Sequence, residues 1–255
     1  MKKELENVFF KFWYWYLSSI DKNAEVIFMN YGYSKDNHKI ELDESDEKNR
    51  YSIQLYHMVA TGVDIEGKDI LEVGCGRGGG LWYIYRYLSP NFVTGVDLNN
   101  KAINFCNKKY SVERIKFLQA NAQKLNFQKD SFDVVINIES AHRYTQIDKF
   151  LDEVYRVLKS GGFFVFADFG DNIEIERLNT QFGKSNFRLV KFENITSNVV
   201  EALKLASPGR EKLIKKLLPK FLQDLGRNFA ATAGSKTYNS FLTGQYEYVF
   251  YILKK

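Results

Sequence analysis

Cysteine is nearly absent from this sequence: Cys75 and Cys106 are the two in 255 residues. That excludes a disulfide framework or a cysteine-rich metal centre, and it fits reduced, buried thiols in a cytoplasmic setting. Histidine is as scarce. His38, His57 and His142 lie far apart and show no metal-ligand spacing, so no metal site is expected. No stretch reaches the roughly 18 uncharged apolar residues that suggest a membrane span. The opening Met1-Lys2-Lys3-Glu4-Leu5-Glu6 has acids where a secretory signal needs a cationic and then an apolar run, so none is expected. An excess of one charge is missing too. Lys and Arg number 36 against 31 Asp and Glu, a net charge of +5 mixed along the chain. That balance argues against a nucleic-acid partner. Proline stops at three, and there are no internal repeats or low-complexity tracts.

What the chain has in surplus is aromatic residues: 16%, with 21 Phe and 16 Tyr. They suit a Phe/Tyr-rich core, an apolar or ring-bearing ligand, or a membrane-facing patch. Seven aromatics crowd Phe9 to Tyr16, so residues 4 to 20 read as a helix apolar nearly all round. Such a helix packs on the protein, lines a substrate entrance or touches lipid. Residues 1–66 therefore read as an N-terminal helical cap or substrate segment ahead of an α/β domain over 67–255.

That domain is organised around Asp69-Ile70-Leu71-Glu72-Val73-Gly74-Cys75-Gly76-Arg77-Gly78-Gly79-Gly80. An apolar run predicts a buried strand, the glycines a sharp turn with close backbone approach to a ligand, and Leu81 to Leu88 a helix. Strand, glycine turn, helix is the first unit of a nucleotide-binding sheet. Gly74, Gly76 and Gly79 also fit a dinucleotide fingerprint. The acid two residues before Gly74 tips the reading toward a ligand with a positive end, such as a methionine-like ammonium or sulfonium.

Six further strands read along the chain: Phe92–Asp97, Arg114–Gln119, Ser131–Ser140, Phe163–Ala167, Phe187–Phe192, and an alternating run through Tyr246, Tyr248, Phe250 and Ile252. Helices are expected at Arg50–Ala60, Lys101–Lys108 and Ile147–Leu158. Helices over about 197–240 form a lid over the acceptor, and a lid helix could pair with a second subunit in a homodimer. The basic stretch Lys212–Leu218 reads as a solvated amphipathic face, with membrane association as the alternative. His57 sits among apolar residues and reads as a packing histidine. Asp97 ends the second strand 25 residues after Glu72, where a carboxylate can accept from both hydroxyls of a ribose.

These pieces together resemble the class I S-adenosylmethionine-dependent methyltransferases. Glu72-x-Gly74-x-Gly76-x-Gly78 resembles motif I and Phe132-Asp133-Val134-Val135 resembles motif IV. Ala120-Asn121-Ala122-Gln123-Lys124-Leu125 stands where the family often has G-D-A-x-x-L, with Asn121 replacing an Asp that meets the adenine amine; an Asn carbonyl can still accept there. Over nearly its full length the chain is similar to the phthiotriol/phenolphthiotriol dimycocerosates methyltransferase family. The supporting stretches include Ile27–Tyr33, Leu55-Tyr56-His57, Glu139-Ser140-Ala141-His142 and Leu218-Pro219-x-Phe221-Leu222. The resemblance implies a Rossmann-like α/β fold: a seven-stranded, mostly parallel sheet with helices on both faces and a helical lid. It implies S-adenosyl-L-methionine as cofactor, held by Tyr33, Glu72, Gly74, Cys75, Gly76, Gly78, Asp97, Leu98, Asn121, Ala122, Gln123, Ile138 and Glu139. It also implies a small, apolar acceptor, lipidic or polyketide-like.

His142 follows the fourth strand and Asp168 the fifth, at the carboxyl ends where open α/β sheets bind ligands. His142 is the candidate base for an alcohol acceptor, and Asp168 the group that orients its imidazole. Three readings stand: O-methyl transfer, transfer to carbon or nitrogen on the same scaffold, and a cofactor-binding protein without methyl transfer. A magnesium-assisted variant of the first stays open.

Overall fold

The computed structural model describes residues 21, 24–36 and 38–255. The helix expected over 4–20 lies outside the described residues. A short 3-10 turn, Glu44–Asn49, leads into α1 (Arg50–Ala60). There follow β1 (Asp69–Val73), α2 (Gly79–Tyr87), β2 (Phe92–Asp97), α3 (Asn100–Lys109), β3 (Ile115–Gln119) and β4 (Phe132–Ile138). After a 3-10 turn at Ala141–Arg143 come α4 (Ile147–Val157), β5 (Leu158–Asp171), α5 (Asn172–Lys184), β6 (Arg188–Asn194) and α6 (Thr196–Leu217). The chain closes with α7 (Gln223–Phe229), α8 (Lys236–Leu242) and β7 (Tyr246–Lys254).

The seven strands form one sheet in the order β3-β2-β1-β4-β5-β7-β6. β1 to β5 are parallel, and β7 runs antiparallel between β5 and β6. Parallel strands need helical crossovers, which cover both faces, so the central strands β1, β2 and β4 are buried nearly throughout, while edge strand β3 alternates and edge strand β6 is exposed. Side-chain alternation sorts them into two cores. Ile70, Ile136, Val165 and Phe250 face α1, α2 and α6, with Ile53, Val59, Leu81 and Leu203. Leu71, Val135, Phe164 and Val249 face α4 and α5, with Phe150, Val154 and Phe182. The strand order reverses between β1 and β4, which opens a crevice at their carboxyl ends.

The expected fold is thus present, with local differences. The fifth strand was expected to stop at Ala167; it runs to Asp171, because β7 pairs with it from Phe163↔Lys254 to Asp171↔Tyr246. At its other end the strand already begins at Leu158, so residues 158–162 belong to it as well. α5 was not anticipated. Its buried residues are only Ile175 and Phe182, so its apolar stripe is thin. Its start is nonetheless marked by a capping box in which Asp171 accepts from the Glu174 N–H and Glu174 accepts from the Asp171 N–H.

α2 packs closely on α1 through Gly80, where a Cβ would stand 1.8 Å from Tyr56 Cε1. Tyr56 is buried and its hydroxyl is engaged, so it has no room to retreat. Gly80→Ala should therefore lower unfolding free energy by about 1–3 kcal/mol, the usual cost of overpacking, read as a lower urea midpoint with an unchanged m-value.

Candidate active site

The glycine turn after β1 is held by β2. Val96 O accepts from Gly74 N (2.8 Å) and Cys75 N (3.0 Å). Asp97 splints the turn. Its Oδ2 accepts from Gly76 N at 2.9 Å and its Oδ1 from Asn99 N at 2.8 Å. Gly74, Gly76 and Gly78 have φ of +82°, +53° and +75°, backbone that side chains disfavour. A Cβ on Gly74 would also lie 2.0 Å from Ser140 Oγ. Above Gly76, by contrast, a Cβ would meet only Met29 Cε, at 3.5 Å. The turn therefore keeps one clear face, and Asp97 retains acceptor capacity beyond its two backbone bonds. Burial pushes the Asp97 carboxyl up, opposed by the backbone N–H bonds.

Beyond Asp97, Leu98 is 58% exposed. Asn121 is exposed, and its side-chain oxygen accepts from Gln123 N at 3.0 Å. Gln123 Oε1 accepts from Gln146 N and Thr145 Oγ1, tying this turn to the loop before α4. Ala122 and Cys75 are buried beneath.

Glu72 lies under the turn with no exposed surface. Its Oε1 accepts from the Tyr56 hydroxyl at 2.7 Å, and its Oε2 has no partner. Burial pushes its carboxyl up to about 8, against the pull of the Tyr56 hydrogen bond. An orphaned carboxyl oxygen is an atom that a hydrogen-bond donor or a cationic group can satisfy.

At the ends of β4 and β5 the structure brings His142 and Asp168 together. Nδ1 of His142 lies 2.6 Å from Asp168 Oδ1, and the His142 backbone N donates to Oδ2 at 3.0 Å. Phe169 N donates to Oδ1 at 2.8 Å. The Asp168 side chain is 3% exposed and that of His142 is 16%. An acceptor-only carboxylate at Nδ1 assigns the proton to that nitrogen and leaves Nε2 as a base. The imidazole lies 4.7 Å from the Phe169 ring. Phe169 in turn packs on Tyr31, Phe241, Tyr246 and Tyr248, an aromatic wall beside the base.

Glu139 follows buried Ile138 with φ of +47°. Its Oε1 accepts from Tyr31 N at 2.7 Å and from the Tyr248 hydroxyl at 2.9 Å. Burial pushes its carboxyl up to about 8, with the Arg210 guanidinium among the opposing influences. Glu139 thus anchors a strap, residues 24–34. Arg210 donates to Asn30 O and Tyr31 O, and Gln54 to Tyr33 O. Arg77 of the glycine turn pairs with buried Asp21 at 2.6 Å. Tyr33 sits on this strap, half-buried, its hydroxyl pushed up by burial. Sequence reasoning missed Tyr31, Arg210 and Tyr248; Arg210 carried no signal of its own, lying in the lid helices just ahead of the Lys212–Leu218 stretch that read as a solvated face. His57 lies on α1 against the Tyr83 hydroxyl, 2.7 Å away, in the packing role expected. Among the described residues no group of three or more His, Cys, Asp or Glu is arranged to hold a metal ion.

Comparison with known proteins agrees with this geometry. Residues 71–166 match the family model "Methyltransferase domain". The chain is 41% identical over 204 residues to a fatty-acid O-methyltransferase of Mycolicibacterium smegmatis, covering 80% of this chain and 74% of that one. It is 36% identical over 246 residues to the phthiotriol/phenolphthiotriol dimycocerosates methyltransferase of Mycobacterium tuberculosis, covering 96% and 91%. A solved geranyl diphosphate C-methyltransferase of Streptomyces coelicolor, in complex with Mg2+, geranyl diphosphate and S-adenosyl-L-homocysteine, shares the fold. Its TM-score is 0.66 at 15% identity, over 94% of this chain and 98% of that one.

Glu72 also sets a pH dependence. A carboxyl raised from about 4.5 to about 8 in the fold favours the protonated native state. Stability is then full below the unfolded value and falls as pH climbs toward 8. Melts of the ligand-free protein should show Tm dropping between pH 6 and 8. At this chain length each lost kcal/mol moves Tm by about 2–4 °C. In Glu72→Gln the drop should shrink, leaving the part due to Glu139; an unchanged slope would remove Glu72 as its source.

Proposed function

The chain belongs to the S-adenosyl-L-methionine-dependent methyltransferases, and we propose that it methylates an oxygen of a lipidic small molecule, a hydroxyl in the primary reading. The single observation that carries the oxygen assignment is the His142–Asp168 pair. The relatives named for fatty acids and for phthiotriol dimycocerosates support a lipidic acceptor.

Gly74, Gly76, Asp97, Leu98, Asn121, Ala122 and Gln123 would hold the nucleoside part of the cofactor, and Glu72 its cationic amino-acid end. When bound, the cofactor supplies an electrophilic methyl group on a sulfonium whose thioether leaves without further help. The protein's work is alignment and proton removal. Holding two reactants in line contributes up to roughly 7–11 kcal/mol. His142 Nε2 takes the acceptor's proton as its oxygen attacks, and Asp168 stabilises the imidazolium that forms. Helices α6 to α8 form the lid over the acceptor in this reading. Arg210 of α6 grips the strap, and Phe241 of α8 touches both Tyr31 and Phe169. Two buried thiols and the absence, among the described residues, of a helix long and apolar enough to cross a membrane fit the proposed cytoplasmic setting.

A second reading has its own observation. The 41% identical relative is named for a fatty acid, whose oxygen nucleophile is a carboxylate. A carboxylate is already ionised at neutral pH and needs no base.

Two measurements test these assignments. Asp97→Ala should abolish calorimetric binding of S-adenosylhomocysteine that the wild type shows; undiminished binding would remove Asp97 from the site. His142→Ala should slow methylation of a long-chain alcohol by about 10²–10⁴-fold, the usual contribution of a general base. The same variant should methylate a fatty acid within a few fold of wild type. Equal, small losses on both acceptors would make His142 a wall residue.

A further inference from the structure

A second concavity lies across Tyr31 from the base. It is a cleft of about 460 Å³ between the strap, the turn before α1, and helices α6 and α7. Val26, Phe28, Met29, Leu213, Ile214 and Leu217 supply most of its apolar wall. None of these residues touches His142 or Asp168, and the reaction as derived above makes no use of the cleft. Its volume is that of a ligand pocket.

Two features make it a built space rather than loose packing. The first is Gly209, in the interior of α6 beside Pro208 and on the cleft wall. A glycine there costs a helix about 0.5–1 kcal/mol relative to alanine. Gly80 has a steric reason against Tyr56 and Gly226 against Leu218, whereas Gly183 of α5, which does not line the cleft, has none. At Gly209 a Cβ would meet nothing within 4 Å. With Ala206 one turn earlier, it keeps side-chain volume out of the cleft. The second feature is continuity with the site. Tyr31 lines the cleft, its ring packs 5.0 Å from that of Phe169, and Phe169 touches His142. Two packed rings, Phe169 on the side of the base and Tyr31 on the side of the cleft, are the wall between them. Lys48 and Lys212 stand on the cleft's outer lining, where lysine stems can cover hydrocarbon while their charges stay in water.

We propose that this cleft binds the hydrocarbon chain of the acceptor, with Tyr31 as the elbow between the reacting oxygen at His142 and the alkyl tail, and Gly209 as the residue that keeps the tail's space open. This rests on the lipidic-acceptor reading above. It adds that acceptor chain length is read on α6, away from the sheet.

The test is binding of the fluorescent long-chain fatty acid cis-parinaric acid to the ligand-free full chain. Wild type should bind it, palmitate should displace it, and octanoate should compete much more weakly. Gly209→Phe and, separately, Ala206→Phe should weaken binding about tenfold or more, close to 1.4 kcal/mol. Thermal melts near wild type show that these variants are folded. With acceptors of graded length, both fills should lower kcat/KM for long chains and leave short ones nearly unchanged. No binding by wild type, or wild-type affinity in both folded fills, would overturn the proposal. His142→Ala should bind the probe as wild type does. A wrong base assignment therefore shows in turnover alone, and a wrong cleft assignment in probe binding alone.

Discussion

The reversal of strand order between β1 and β4 is the constraint on which the site depends. Right-handed crossovers carry β1 to β2 and β3 in one direction, and the chain must return past β1 to start β4. Helices on the two sides of that point diverge, leaving the carboxyl ends of β1 and β4 uncovered. Everything polar and functional gathers there: the glycine turn after β1, Asp97 after β2, Asn121 after β3, Glu139 and His142 after β4. The sheet interior admits few polar side chains. Asn137 donates to Val73 O across the reversal itself, at 2.7 Å, stitching β4 to the end of β1.

Over that crevice runs a strap with no ladder of its own. Residues 24–34 form neither helix nor strand, so their backbone groups must find partners one by one. They find them on separate elements: Glu139 after β4, Gln54 on α1, Asn198 and Arg210 on α6. A segment held this way adjusts when any of its anchors moves. It also joins the glycine turn to the cleft, since Met29 stands over Gly76 and Tyr31 stands between Phe169 and the cleft.

How much was legible in the sequence follows from the range of each interaction. The glycine turn, Asp97 and the strands around them announce themselves locally, through apolar runs closed by Gly or Asp. His142 and Asp168 were legible by one further step, because residues just past parallel strands must stand on the same edge. The strap's anchors were not. Tyr31 meets Glu139 across 108 residues and Arg210 across 179. Neither end has a pattern of its own. Arg210 sits just ahead of the basic Lys212–Leu218 stretch that read as a solvated face, and only the fold turns it inward. α5 failed for the opposite reason: its signal was present in Asp171 and Glu174, but its apolar stripe was too thin to draw attention.

The misjudged length of β5 is the error with the most chemical meaning. β4 accompanies β5 only as far as Ile138↔Ala167. Asp168 begins the part of β5 that extends beyond its parallel neighbour, and a parallel sheet alone would leave it on a frayed end. β7 prevents this. Running antiparallel between β5 and β6, it pairs with Asp168, Phe169, Gly170 and Asp171 through Val249, Tyr248, Glu247 and Tyr246. The same strand sends the Tyr248 hydroxyl to Glu139. Asp168 can fix His142 because its own backbone is fixed, and orientation to within a fraction of an ångström is what a general base requires. The one antiparallel insertion in an otherwise parallel sheet thus rigidifies the carboxylate on which the proposed proton transfer would depend.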